Sequence, residues 1–361
     1  MSSIQRKLEK YLSSENYEQK AAQELSQKKA SKTVYEWNTK SKVLRIAETI
    51  FSIVCFPVKI GRALHALGGL IMIPAWLFDR SKLAGLRSTI ELNNGLLYKR
   101  ITIKCDGRKI DVLLVTKKDS LKNGRWLIGS LGNGQCYETT VPSRFVSSSE
   151  LVNLMGELNS NLIVFNYPGV GASPGLPSKR SAIKAYRSVL ALLEDPHGLG
   201  AKEIIGYGHS IGGGIQGEAL RKHTLKRNIK YVFVKSRTFD STASVAKTIG
   251  KAAWILLNVL GWNIKTYEAS KRLTVPEIVI QSRCTQDDAK NYLILNSHQE
   301  IVDDGVIPKE ASLACRLIKK KHVENKVFIG VPEGHNDELS NIAFVADRIK
   351  EALGEDVLGD A

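Results

Sequence analysis

The sequence predicts a doubly wound, mostly parallel α/β sheet with a helical cap and an N-terminal helical extension. Three observations carry that expectation. From about residue 88 onward, short apolar runs rich in β-branched residues alternate with segments of helical length, the pattern that builds parallel sheets. A hydrophobic share of 43% over 361 residues suits a packed core and excludes global disorder. Glycine-rich and small polar loops follow the apolar runs, and in such sheets the active site collects at the carboxyl ends of the strands.

Taken in order, residues 1 to about 42 are polar and rich in Lys, Glu, Gln and Ser, with sparse apolar positions at Ile4, Leu8, Tyr11 and Leu12. They read as a charged helix or a mobile segment. Residues 43 to 78 are apolar but interrupted by Pro57, Lys59, Arg62 and Pro74. A spanning helix needs about 20 apolar residues, so this region is too broken to cross a bilayer. Two readings stand: helices covering an apolar face of the main domain, or an interfacial hairpin with Phe56, Trp76, Phe78, Lys59, Arg62 and Arg80 at headgroup depth. The extension is expected over 1–87 and the main domain over 88–361.

Within the main domain, Tyr98 to Lys104 and Lys109 to Val115, joined by Asp106-Gly107, read as an antiparallel hairpin. Further strands are expected at Trp126 to Ile128, Leu162 to Phe165, Glu203 to Tyr207, Tyr231 to Val234, Glu277 to Ile280 and Val327 to Ile329. Helices are expected over 180–194, 211–222, 308–321 and 338–353. A cap is expected over about 236–273, where Ala252 to Trp262 supplies an apolar helix that reads either as a lid favouring lipid-like acyl groups or as core packing.

Gly208-His209-Ser210-Ile211-Gly212 lies between an apolar run and a helix, the order that places a serine on a strained turn with its hydroxyl exposed. The flanking glycines remove side chains that would collide across the turn. The Ile211 N–H and the helix start then face an oxyanion above Ser210. The same pattern recurs at Gly171-Ala172-Ser173-Pro174-Gly175. Pro174 has no N–H to offer, so Ser173 reads as part of a structural loop.

A serine nucleophile needs a base and an acid that orients it. Among seven histidines, His335 in Gly334-His335-Asn336-Asp337 follows the last strand in a loop of small and polar residues. The others lie in the elbow (His209), the apolar hairpin (His65), helix ends (His223, His322) or loops away from strand ends (His197, His298). The acid is expected between Ser210 and His335, and Asp304 in the turn Asp304-Gly305-Val306-Ile307-Pro308 is the first choice. Asp303, Asp287 and Asp288 remain alternatives. A second oxyanion donor is expected among Leu131 to Gly134 after Trp126 to Ile128, with Asn133 selected.

The net charge of +16 points to an anionic surface. No nucleic-acid module accompanies it, which favours a membrane surface reached through residues 43–80. The five scattered cysteines indicate neither a disulfide framework nor a zinc site, and fit a reducing compartment. The start Met1-Ser2-Ser3-Ile4-Gln5-Arg6-Lys7 lacks the apolar core of a secretory signal, which implies the cytoplasm, a membrane periphery or export by a route needing no such signal.

Residues from about 100 to 350 resemble the α/β-hydrolase superfamily. The resemblance is carried by Asn166-Tyr167-Pro168-Gly169-Val170-Gly171-Ala172-Ser173, Gly208-His209-Ser210-Ile211-Gly212-Gly213, Asp304-Gly305-Val306-Ile307-Pro308 and Gly334-His335-Asn336-Asp337. It implies the α/β-hydrolase fold, triad roles for Ser210, Asp304 and His335, cleavage of an ester or thioester, and no metal or organic cofactor. With its apolar leader and Arg237-Thr238-Phe239-Asp240-Ser241, the whole chain is similar to hydrolase-like proteins of intracellular bacteria, the chlamydial CHLPS type, with related secreted effectors in Legionella. Leu131-Gly132 stands where the superfamily's oxyanion loop has His-Gly, and about 20 extra residues precede Asp304. A fold that kept its shape and lost catalysis is the alternative these departures imply.

Overall fold

The computed structural model describes residues 3–92, 95–117, 120–144, 146, 149–284 and 291–356. Helices α1 (Ser3–Leu12) and α2 (Tyr17–Leu25) open it, and their few apolar residues suffice to dock them. Leu8, Tyr17, Ala21 and Leu25 are buried. A short strand, β1 (Val34–Trp37), then pairs in parallel with β2 (Leu97–Cys105). The extension is therefore partly strand, a feature that four half-exposed residues do not announce in sequence.

The apolar leader forms α3 (Lys42–Val54) and α4 (Phe56–Met72), with Pro57 in the first turn of α4, where a missing N–H costs nothing. Helix α4 packs on the main domain along one side and leaves Ile60, Leu67 and Ile71 exposed on another. On α4, Gly68 and Gly69 permit direct contact with Trp262 and Pro177, where a Cβ would sit 2.4 and 1.9 Å from its neighbour. Ile73 and Ala75 beyond it are buried. By contrast α3 leaves Val43, Leu44, Ile46, Ile50 and Phe51 exposed. Among the described residues no helix is long and apolar enough to cross a membrane. The Phe56 side chain lies outside the described residues, and Trp76 is half-buried with its indole N–H donated to the Leu70 carbonyl. Helix α5 (Arg80–Ser88) is capped by Asp79, which accepts from the Ser81 and Lys82 amides.

The remaining strands are β3 (Arg108–Thr116), β4 (Arg125–Ser130), β5 (Asn161–Phe165), β6 (Glu203–His209), β7 (Lys230–Ser236), β8 (Glu277–Ser282), β9 (Leu293–Ile294) and β10 (Lys326–Val331). They order as β1-β2-β3-β5-β4-β6-β7-β8-β10-β9. The β2–β3 hairpin and the β3–β5 and β9–β10 pairs are antiparallel, and the other neighbours are parallel. The helices of this part are α6 (Glu150–Glu157), α7 (Lys179–Glu194), α8 (Ile211–Leu220), α9 (Thr242–Ile249), α10 (Lys251–Val259), α11 (Thr266–Ser270), α12 (Leu313–Lys319) and α13 (Ile342–Leu353). The helix expected over 308–321 is shorter, because Ser312 caps α12 after a separate tight turn at Lys309–Ala311.

Alternating strand residues serve two layers. Leu127, Val164, Ile205 and Val232 pack with Leu154 of α6 and Val345 and Ile349 of α13. Ile128, Phe165, Ile204 and Phe233 pack with Tyr186 and Val189 of α7 and Ile215 of α8. The chain leaves β4 toward β5 on one side and returns to β6 on the other, so a crevice opens beyond the carboxyl ends of β4 and β6.

Candidate active site

Ser210 stands between β6 and α8, at the cap of α8, with φ 53° and ψ −123°, a conformation that a non-glycine residue adopts only when its surroundings enforce it. Three bonds do so here. Ser210 N donates to the Ser236 carbonyl at 3.0 Å, and its own carbonyl accepts from Gly213 N at 3.1 Å and Thr238 Oγ1 at 2.7 Å. The flanking glycines have the expected steric function. A Cβ on Gly208 would lie 2.7 Å from Gly213 Cα, and one on Gly212 only 2.0 Å from the Ser130 carbonyl oxygen.

The structure brings the three expected residues together. His335 Nε2 is 2.9 Å from Ser210 Oγ, and His335 Nδ1 is 2.9 Å from Asp304 Oδ2. Asp304 and His335 are nearly buried. Asp304 Oδ1 accepts the Val306 and Ile307 amides at 3.0 and 2.6 Å, and the Asp304 carbonyl accepts from His335 N at 2.7 Å. Burial works to raise the Asp304 carboxyl, but His335 and the two amides outweigh it and hold the group below its usual range. Asp303 is exposed and accepts from the Lys309 amide instead. Asp287 and Asp288 lie outside the described residues.

Ile211 begins α8, where the first amides of a helix have no carbonyl partner within it. On the other side of the crevice, Asn133 is exposed and its carbonyl accepts from Ala75 N at 3.3 Å. A cleft of about 160 Å³ beside His335 is lined by Leu131 and Gln135 but not by Asn133 or Ser210 itself. The Gly132 N–H is directed to Gln135 Oε1 at 2.8 Å. The loop after β4 thus reaches the cleft through residues on either side of Asn133.

Arg237, which in sequence carries only part of the family resemblance and no site role, also lines this cleft. It follows β7 with φ 45° and is 1% exposed. Its Nη1 donates to the carbonyls of Gly334 and Asp337, each at 2.6 Å, and its Nη2 to Glu150 Oε2 at 3.3 Å. Glu150, the first residue of α6, also accepts from Leu339 N at 3.1 Å and from the Tyr207 hydroxyl. One guanidinium therefore ties the strand after the elbow to both ends of the His335 turn. Its place directly after a parallel strand was visible in sequence, but its partners lie 97 and 100 residues away.

His209 stands between these groups, with its ring centroid 5.0 Å from that of His335. Burial, then the charges of Arg237 and His335, push its imidazole well below the usual range, so it is held neutral. Ser173, in the second glycine-serine-glycine segment, is fully buried. Its Oγ accepts from Asp111 N and donates to the Asn166 carbonyl, both at 2.8 Å. Among the described residues no group of three or more His, Cys, Asp or Glu side chains converges as a metal site would.

Solved structures share this architecture. A crystal structure described as an alpha-beta hydrolase from Vibrio vulnificus superposes with TM-score 0.56 at 14% identity, covering 90% of this chain and 98% of that one. An esterase of Pyrococcus furiosus gives TM-score 0.47 at 15% identity over 77% and 95% of the two chains. At such identity the first likeness is one of fold, and the fold is that of the α/β hydrolases. No curated protein matches the chain in sequence. The family model described as Chlamydia CHLPS protein (DUF818) matches residues 79–354, which take in the whole crevice, and the chain belongs to that family.

Proposed function

We propose that the protein hydrolyses a carboxylic ester or thioester through an acyl-enzyme on Ser210. The observation that carries the reading is the continuous line Ser210 Oγ, His335 Nε2, His335 Nδ1, Asp304 Oδ2, with 2.9 Å at each of its two bonds. Ser210 Oγ attacks the substrate carbonyl carbon while His335 Nε2 takes the hydroxyl proton, and Asp304 stabilises the resulting imidazolium. The oxyanion forms against the Ile211 N–H and a donor from the loop after β4, where Leu131 lines the cleft and Asn133, the residue the sequence points to, does not. His335 then returns its proton to the departing alcohol or thiol, and a water deprotonated by the same imidazole releases the acid.

The cleft, at about 160 Å³, is smaller than the roughly 300–1,000 Å³ of a drug-sized ligand site and supports a short acyl group. The apolar helix α10 does not argue for a longer one, since none of its residues is buried. A second reading, a fold retained without turnover, is favoured by one observation: the Gly132 N–H is already bonded to Gln135. A fluorophosphonate probe decides between them. It should label the wild type and the Gln135→Ala variant, and leave Ser210→Ala unlabelled. Failure to label the wild type, together with inertness toward short and long p-nitrophenyl esters and acyl thioesters, would reject turnover at Ser210.

A further inference from the structure

Two apolar segments far apart in sequence, the leader helices and the α10 region, meet at His65 and Trp262. The Trp262 indole N–H donates to the His65 carbonyl at 2.8 Å, His65 Nδ1 meets the Leu260 carbonyl at 3.1 Å, and the two rings stack at 5.8 Å. These contacts fix the end of α10 against the middle of α4, and α4 in turn contacts α3. The residues turned away from the contacts are large and apolar. On α3 and α4 they include Ile46, Ile50, Phe51 and Leu67, and around α10 they include Ile249 and Ile255, each 46% to 76% exposed. Helix α3 is amphipathic, with Val43, Ile46, Ala47 and Ile50 on one stripe, yet none of its described side chains is buried. A monomer in water has no reason to maintain such a face.

The charges around the face specify what covers it. From Lys42 to Phe78 the cations Lys42, Arg45, Lys59 and Arg62 stand against one carboxylate, Glu48, which is paired with Lys40, and Asp106, which lines a recess with Ile46 and Ile50, is paired with Lys184. From Thr242 to Val259 there are two lysines, Lys247 and Lys251, and no carboxylate. Apolar side chains rimmed by cations fit an interface of acyl chains under anionic headgroups, and no helix here is long enough to pass through it. We infer that α3, α4 and α10 together form a surface that docks the folded protein on an anionic phospholipid bilayer. The leader then continues from this face to the crevice, because Ala75 N bonds the Asn133 carbonyl in the loop after β4.

The inference does not rest on turnover at Ser210, and its test is made on binding. The full chain is sedimented with vesicles of phosphatidylcholine alone and of phosphatidylcholine with phosphatidylserine, at low and high salt. The wild type and Ser210→Ala should pellet equally with the anionic vesicles at low salt, and binding should fall as salt screens the headgroups. Reversing Lys247→Glu and Lys251→Glu together should lower partitioning by about 25-fold or more, at roughly fivefold per charge near the leaflet. Trp254→Ser with Ile255→Ser, and separately Ile46→Ser with Ile50→Ser, should each lower it about tenfold or more while leaving the melting temperature unchanged, since these side chains are exposed in the folded chain. A folded wild type that ignores anionic vesicles overturns the proposal. So does wild-type binding by the α10 variants, or a dimer that the same substitutions dissociate, which would assign the face to a second copy of the chain.

Discussion

Ser210 and Ser173 occupy the same five-residue glycine-serine-glycine pattern, one at φ 53° with its hydroxyl 2.9 Å from an imidazole, the other sealed in a loop between Asp111 and Asn166. The difference originates in the residue that follows each serine. Ile211 continues into a helix and keeps its amide, whereas Pro174 can do neither, so its loop folds back through Gly169 N to the Ser173 carbonyl. Around Ser210 the backbone is strained and the hydroxyl is left with the base. Around Ser173 the hydroxyl completes the hydrogen bonding of its neighbours. A short pattern therefore marks a candidate, and the hydrogen-bond partners it leaves unclaimed decide the role.

The largest effect expected from this contrast is on turnover. Ser210→Ala should lower kcat by about 10⁶, whereas Ser173→Ala should leave the activity per folded molecule unchanged, read as ester hydrolysis normalised to the folded fraction from circular dichroism. Equal losses in the two variants would erase the distinction. Next is Arg237→Met, which strips two carbonyls of the His335 turn and the Glu150 carboxylate of their partner. We expect kcat to fall about 10²-fold through displacement of His335, with a destabilisation of about 3–5 kcal/mol in urea melts. A melt equal to wild type with normal kcat would show that the turn holds itself.

Ser173→Ala should cost about 1–3 kcal/mol of stability, because the Asp111 amide and the Asn166 carbonyl lose a buried partner. A neutral result would mean that the loop reseals around a smaller side chain. The smallest effect concerns His209. Its folded-state pKa is depressed, so as pH falls below about 6.5 the unfolded chain takes up a proton that the folded one does not. Stability should therefore decline toward acid with a contribution of at most about 1.4 kcal/mol per pH unit, and His209→Gln should flatten that part of the urea-midpoint profile. Asp304 acts in a lower window: its depressed pKa contributes stability above its ordinary value of 3.8 that is lost as pH falls further.

Much of the sheet was legible because its strands are runs of β-branched and aromatic residues bounded by glycine and polar loops. The Tyr98 to Lys104 and Lys109 to Val115 hairpin shows this most clearly, each strand extending by one residue at each end, to Leu97–Cys105 and Arg108–Thr116. The four-residue β1 and the two-residue β9 were not legible, since segments that short have no period to read. At the site, Ser210, Asp304 and His335 were named from local turn chemistry, and the structure places them within hydrogen-bond distance. Asn133 was selected from a flexible run in which sequence cannot tell which amide faces inward, and that orientation depends on the Gln135 side chain and on Ala75. The site roles of Arg237 and Glu150 were not legible because they are made by contacts across the sheet. The outward face of α10 escaped for the opposite reason, since an apolar helix in a cap reads as buried unless its neighbours are known.

The bond between the Trp262 indole and the His65 carbonyl joins residues 197 positions apart. Ribosomes add about 5–20 residues per second, so α4 leaves the tunnel some 10–40 s before the segment around Trp262 does. Pro177 reaches Gly69 earlier, but until Trp262 follows, Gly68 faces no partner and the apolar residues of α3 and α4 are presented together. Synthesis thus passes through a species more adhesive than the finished protein, and the yield of this chain in a cell should depend on chaperone capacity during elongation more than on the stability of the completed fold.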